Sequence, residues 1–343
     1  MNGDGLESDR MDNLLNALPG IRLPVEAVTR TLSHMWDTQS MDMAGSPSDF
    51  RASQMNLILH FGLDTSAEEA RLRFDTAIHF AQRYPCRIIV LCPAQPGHIE
   101  DLLEAKLFSQ CYIGKHLRDL CCCEALILGY SIEESSFLEN QVSLWLESDL
   151  PVYHWFNRVP GQRIKDFYLP FINRCRRVLY DSAIEGWGED VLAGIEPLRV
   201  RDLAYARTLH LRQQLGQFIS SVPVPTLLKN LHQLRFAAGP DRLPEMRHLH
   251  RWHGICLRKA AGADAKDQVA AWMPAEDAIE RLSGKAMRIE WLDRKGKAFI
   301  EWEYLPRQRS GRFRSSLPGA ANENLHHIEP IKPHSALAEA MFF

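Results

Sequence analysis

From residue 120 to 156 the hydrophobic pattern changes period twice. Residues 120–128 form a nearly continuous apolar run broken by Glu124, as expected of a strand covered on both faces in a parallel sheet. Phe137, Leu138, Gln141, Val142, Trp145 and Leu146 then recur at helical spacing, so one stripe can lie on the sheet while Glu133, Glu134 and Glu139 stay wet. Asp149, Leu150 and Pro151 stop that helix, and 152–156 is again extended, rich in β-branched and aromatic residues. The same alternation precedes it. Residues 55–61 read as a strand. Ser66 and Glu69 have the spacing of a capping box, and Ala67, Ala70, Phe74, Ala77, Ile78 and Ala81 supply the buried stripe of a helix reaching about Tyr84. Pro85 closes it before a strand at 86–91. A shorter strand candidate lies at 106–113 and another at 177–180. The pattern predicts an α/β domain over 51–183, with a mainly parallel Rossmann-like or flavodoxin-like sheet whose strand order stays open.

On either side the texture differs. Residues 1–50 read as an N-terminal helical arm and loop: Val25, Val28, Leu32 and Trp36 share a helix face before the segment SMDMAGSPSD. Beyond Gly186-Trp187-Gly188, residues 184–343 read as a smaller C-terminal α+β domain. It holds a long helix over 202–219, a helix over 246–257, and a β-hairpin of 286–292 with 298–304 around Asp293-Arg294-Lys295-Gly296. Met287, Ile289 and Trp291 alternate with polar neighbours, as do Ile300, Trp302 and Tyr304, which gives each strand an apolar face. A terminal helix from near Ser335 ends in Met341-Phe342-Phe343, an apolar tip expected to dock on this domain or on another subunit.

Composition narrows the partners. The 343 residues are 45% hydrophobic and 24% charged, with a net charge of -3, so nothing drives the chain toward nucleic acid or an acidic membrane. No apolar run reaches the roughly 18 to 20 residues that span a bilayer, and the acidic start lacks a signal core; a cytoplasmic address is expected. Eight cysteines contain no CxxC pair. Cys121, Cys122 and Cys123 alternate faces of one strand, which favours structural thiols over zinc or redox chemistry.

Candidate chemistry is sparse. The turn Gly62-Leu63-Asp64-Thr65-Ser66 has one glycine, where a dinucleotide-binding turn needs several for close approach to pyrophosphate. No phosphate loop is present. Gly129-Tyr130-Ser131 lacks the paired glycines of a nucleophile elbow, so Ser131 reads as a helix cap. In the segment HLHRWH, His248 and His250 point to different sides of a helix, and strand geometry would instead strand His253; His326-His327 is weaker still. No catalytic residue, cofactor or metal site is therefore assigned. Arg307, Arg309, Arg312 and Arg314 form a basic tract near Tyr304 and Phe313, suited either to an anionic ligand or acidic partner or to a solvated loop. The cluster Trp145, Tyr153, His154, Trp155 and Phe156 reads mostly as core, with alternation turning some members outward.

The segments RYPCRIIVLCP at 83–93, EALILGY at 124–130, SLWLESDLPVYHWFN at 143–157 and RDLAYARTLHLRQQLGQFI at 201–219 together resemble the OpcA family of glucose-6-phosphate dehydrogenase assembly and activator proteins. The helix-to-strand corner Asp149-Leu150-Pro151-Val152 and the later helix carrying Arg207 and Arg212 are the most specific marks. Leu211 stands where the family pattern suggests tryptophan, and the corner has His154-Trp155-Phe156 rather than two tryptophans. The resemblance implies a non-catalytic protein that binds glucose-6-phosphate dehydrogenase, promotes its active oligomer and controls entry to the oxidative pentose phosphate pathway. It makes Trp155, Arg207, Arg212, Arg307, Arg309, Arg312 and Arg314 candidate partner contacts. With only Cys256 after Cys175, no disulfide switch is carried over. An α/β enzyme or sensor holding a sugar phosphate or nucleotide is the alternative, and a purely structural scaffold the third reading.

Overall fold

Seven consecutive residues of β2 (Met55–Phe61) are buried, which is possible only for a strand with neighbours on both edges and layers on both faces. The computed structural model describes residues 14–32, 53–97, 103–113, 120–185, 187, 189–262, 265–317 and 323–343. Trp36, the predicted loop at 40–49, Gly186, Gly188 and the side chains of Cys121 and Cys122 lie outside that description. The chain divides into two compact units, one of residues 1–202 with 333–343 and one of 203–332.

The first unit is built on an eight-stranded sheet. Its strands are β1 (Ile21–Leu23), β2, β3 (Cys86–Ala94), β4 (Leu103–Ile113), β5 (Leu120–Ser131), β6 (Val152–Asn157), β7 (Arg177–Tyr180) and β8 (Val200–Asp202), in the order β1-β4-β5-β3-β2-β6-β7-β8. The run from β5 to β8 is parallel throughout. The 106–113 candidate begins three residues earlier and is an antiparallel addition on β5, with β1 antiparallel beyond it. The parallel part of the sheet therefore starts at β2, grows outward through β3 and β5, and returns to the other side of β2 with β6. At such a reversal the carboxyl ends of the two strands diverge, and open α/β sheets hold their ligands there.

Alternation assigns the two faces. Ile58, Ile89, Leu91, Leu126, Leu128, Phe156 and Val178 share one core with α2 (Ser135–Ser143) and a helical stretch at 161–174 that contains a π-helical segment, Ile164–Tyr168, and α3 (Leu169–Arg174). The opposite face carries α1 (Ala67–Ala81), capped as the sequence predicts: Ser66 Oγ accepts from the Glu69 amide at 3.2 Å. The α2 stripe is narrower than its spacing suggests. Leu138 and Val142 are buried but Phe137 is 61% exposed. The Asp149–Val152 corner is held from β2, where buried Asn56 donates to Glu147 O at 3.0 Å and accepts from the Glu147 amide at 3.0 Å. Arg87 adds bonds to Glu124, Glu147 and the Trp145 carbonyl.

In the second unit the predicted long helix breaks in two, α4 (Leu203–Arg207) and α5 (Leu209–Ser220), at buried Thr208, whose hydroxyl donates to Tyr205 O at 2.6 Å. After α6 (Val224–Asn230) come α7 (Leu243–Ala261), longer than the predicted 246–257, and α8 (Lys266–Trp272). The sheet comprises β9 (Gln233–Ala238), β10 (Glu280–Arg281), β11 (Met287–Leu292), β12 (Ala298–Leu305), β13 (Ser310–Ser315) and β14 (Glu323–His327), ordered β10-β9-β11-β12-β13-β14. The predicted hairpin is β11–β12, pairing Ile289 with Trp302 and Trp291 with Ile300. The inner face packs Phe236, Trp291, Trp302 and Phe313 against Leu215, Phe218, Met246 and Leu249 of the helices. Most of the arginine tract is strand rather than loop: 310–315 forms β13 against β12. The terminal helix α9 (Pro333–Phe342) departs from its expected dock, because it packs within the first unit. Phe342 meets Tyr84 at 4.9 Å between ring centroids and Tyr153 at 6.4 Å, and Ala340 O accepts from Arg177 at 3.0 Å.

Candidate functional site

The carboxyl ends of β2 and β6 are the place to look for a ligand, and backbone and side chains of this chain fill it. Gly62 follows β2, and its amide donates to Asn157 O, the end of β6, at 2.8 Å. A Cβ at 62 would lie 1.8 Å from the Arg158 carbonyl oxygen, so glycine is required for the two strand ends to touch. Arg158 itself turns away in the left-handed region, φ 57°. Its guanidinium pairs with Glu69 at the start of α1, and Arg73, one helical turn on, donates to Asn157 Oδ1 at 3.1 Å. Asn157 and Thr65, both buried, are linked by Asn157 Nδ2 to Thr65 Oγ1 at 3.5 Å.

Glu185 seals the other flank. Its carboxylate accepts the Arg158 amide at 2.8 Å and the Trp187 indole N–H at 3.0 Å, and that indole also donates to Val159 O at 2.9 Å. Burial pushes the Glu185 carboxyl up to about 7, with nearby Asp181 acting in the same sense and the two donated hydrogen bonds opposing. The crevice is thus a closed polar lattice of Thr65, Glu69, Arg73, Asn157, Arg158 and Glu185.

A second polar chain runs through the core on the α2 face. His154 of β6 meets His60 of β2 at 3.2 Å (Nε2 to Nδ1), and His60 Nε2 meets Tyr130 Oη at 2.8 Å. Tyr130 Oη lies 2.9 Å from Tyr168 Oη on the π-helical segment. Tyr168 reaches Ser135 Oγ at 3.2 Å, and Arg163 donates to that oxygen at 2.8 Å. Burial holds both histidines neutral: His154 is lowered to about 3, and His60 is lowered well below its ordinary value, with His154 and Arg163 adding to the effect. Burial raises Tyr130. Two neutral imidazoles and the undissociated Tyr130 phenol suit a structural hydrogen-bond chain rather than a base at neutral pH.

An open groove of about 1030 Å³ lies beside β4, lined by Arg22, Val25, Glu104, Tyr130, Phe137 and Gln141 among others. Two of its charged residues, Arg22 and Glu104, pair with each other at 2.9 Å. Among the described residues no cluster of three or more His, Cys, Asp and Glu is placed to hold a metal. His250 meets Pro274 O at 2.8 Å, and buried His253 meets Leu249 O at 2.7 Å. The described thiols Cys86, Cys92, Cys123 and Cys175 are buried, and burial raises Cys175 to about 12.

The seven residues proposed as contacts are divided between the two units. Trp155 is 2% exposed inside the first unit's sheet. In the second unit Arg207 binds buried Glu245 at 2.7 Å, while Arg212 lies 4.1 Å over the Tyr205 ring and donates to Thr208 Oγ1 at 3.0 Å. Arg312 and Arg314 stand on the sheet's outer face, paired with Glu303 and Glu301 of β12. Arg309 meets Glu329 at 3.4 Å, and exposed Arg307 lines a shallow hollow with Asp241 and Lys285. Sequence reasoning noted Gly62 but missed Asn157, Arg158 and Glu185. Only Gly62 gave a signal, and that signal was for close approach without saying of what.

Among the described residues no helix is long and apolar enough to cross a membrane. Residues 77–196 match the family described as glucose-6-phosphate dehydrogenase subunit N-terminal domain. That span covers β3 to β7, the Asp149–Val152 corner and the lattice from Asn157 to Glu185, and stops before α4. The chain is also 31% identical over 104 residues to a "Putative OxPP cycle protein OpcA" of Synechococcus elongatus, a match covering 30% of this chain and 23% of that protein. The segment at 77–196, corner included, is thus similar to the glucose-6-phosphate dehydrogenase subunit N-terminal domain and to an OpcA protein, and the chain spans about a quarter of the length of that curated relative.

Proposed function

We propose that this protein is a non-catalytic, cytoplasmic assembly factor and allosteric activator of glucose-6-phosphate dehydrogenase, promoting its active oligomer at the entry to the oxidative pentose phosphate pathway. The single observation that carries the reading is the closed crevice between β2 and β6, lying within and beside the family-matched span. The parallel order β5-β3-β2-β6-β7-β8 supports the Rossmann-like reading of the sheet. In that reading the ligand position of an enzyme ancestor has been replaced by a lattice that rigidifies the scaffold.

An activator shifts an oligomer only by binding its competent state more tightly than the alternative. The exposed cations at Arg307, Arg309 and Arg314 are the proposed contacts. Trp155, Arg207 and Arg212 act behind them by holding the two units' own cores. The test adds purified protein at stoichiometric amounts to the glucose-6-phosphate dehydrogenase of the same host and measures sedimentation, kcat and KM. A larger dehydrogenase oligomer with raised kcat or lowered KM is expected. Absence of both binding and kinetic change overturns the proposal, and a changed oligomer with unchanged turnover reduces it to the scaffold reading.

A further inference from the structure

The outer edge of the second unit's sheet has a self-complementary design. β14 is the last strand in the order, and among the described residues no strand pairs with its far side. Of the usual protections of an edge it lacks three: it has no proline, no lysine and no bulge against β13. Leu325 at its centre is 66% exposed.

The ladder fixes which main-chain groups face outward. One step beyond the Ser310–His327 pair, the Ile328 amide donates to Arg309 O at 2.7 Å. Hydrogen-bonded and non-hydrogen-bonded pairs alternate in an antiparallel ladder. His326 and Asn324 therefore bond to β13, while Glu323, Leu325 and His327 direct their N–H and C=O groups away from it. The β12–β13 ladder has the phase this requires, since Ser316 donates to Phe299 O at 3.0 Å.

We infer that two copies of this chain associate by antiparallel pairing of β14 with itself, centred on Leu325, to form one continuous sheet. In that register the three outward-facing residues of each strand meet as hydrogen-bonded pairs, with Leu325 opposite its own counterpart and Glu323 opposite the partner's His327. All these side chains lie on the sheet's outer face, where His327 is 67% and Glu323 57% exposed. A foreign strand would satisfy the backbone; a second copy also pairs leucine with leucine and carboxylate with imidazole, through an isologous interface. A five-residue strand buries less than the roughly 1,000 Å² of a stable interface, so the dimer is reversible. This inference stands independently of the dehydrogenase reading.

Sedimentation of the full chain over a wide concentration range tests it. The mass should rise from 39.2 kDa toward twice that value. Leu325→Pro removes an outward N–H while leaving the β13 bonds intact, and should hold the chain monomeric with unchanged circular dichroism. Glu323→Lys and His327→Glu should each weaken association by several-fold, and an equimolar mixture of the two variants should restore it, because each interface then places opposite charges together. A wild-type chain monomeric at every concentration overturns the inference. So does dimerisation of the proline variant like wild type, or a mixture associating no better than its components. If the proline variant fails to fold, the charge-exchange mixture decides.

Discussion

Gly62 and Arg158 meet backbone to backbone, so closely that a Cβ on the former would lie 1.8 Å from the carbonyl oxygen of the latter. They end neighbouring parallel strands at the point where the sheet reverses its growth. In an enzyme of this architecture a ligand would pass between them. Here one loop passes against the other, and the left-handed Arg158 carries its guanidinium back to Glu69 on α1.

Gly62→Ala should therefore destabilise the first unit by about 3 kcal/mol, since the new methyl group meets main chain that cannot rotate away. The midpoint of chemical denaturation, followed by tryptophan fluorescence, measures it. A loss below about 0.5 kcal/mol would mean that the two loops separate easily and that the crevice is open in solution.

Glu185 should make stability depend on pH near neutrality. Its folded-state carboxyl sits at about 7, above the ordinary value, so between about pH 4.5 and 7 the folded chain binds a proton that the unfolded chain has released. Stability accordingly falls as pH rises through that window, by about 2 to 3 kcal/mol from this group, since each tenfold difference in proton affinity between the two states is worth about 1.4 kcal/mol. Glu185→Gln keeps an acceptor for the Arg158 amide, and Trp187 retains Val159 O. The variant should flatten that part of the pH profile and be more stable than wild type at pH 8. Equal slopes for the two proteins would remove Glu185 as the source.

Arg207→Ala should cost about 2 to 4 kcal/mol in the second unit. Glu245 is 2% exposed, and its nearest remaining cation, Arg242, is at 3.5 Å; a buried carboxylate that loses its main partner keeps its desolvation cost. Replacing both residues by methionine should recover most of the loss, whereas an interface role for Arg207 would leave stability unchanged and weaken dehydrogenase binding alone. Thermal melts and binding measurements on the same variants separate the two.

The α/β alternation, the Ser66 cap and the β11–β12 hairpin were legible because each rests on local spacing, whereas the helix expected to run to Asp149–Pro151 ends at Ser143. From sequence the tract at 307–314 reads either as a contact or as a solvated loop because Phe313 alone marks an apolar face there: Arg312 and Arg314 gain their meaning from Glu303 and Glu301 on a neighbouring strand. Trp155 read as a possible surface aromatic, yet in a strand with neighbours on both edges each face is covered. The α9 tip went to the first unit because the aromatic partners it needed, Tyr84 and Tyr153, are far away in sequence.

Residue type at short spacing was enough for most strands and helices between 55 and 180, the β11–β12 hairpin, the missing phosphate-binding glycines and the OpcA resemblance. What occupies the crevice depended on the fold. Thr65, Asn157, Arg158 and Glu185 are ordinary polar residues apart, and become a closed lattice only when strand order brings the ends of β2 and β6 together. A hydrogen bond depends on distance and direction between groups, and across dozens of residues the chain path alone sets both.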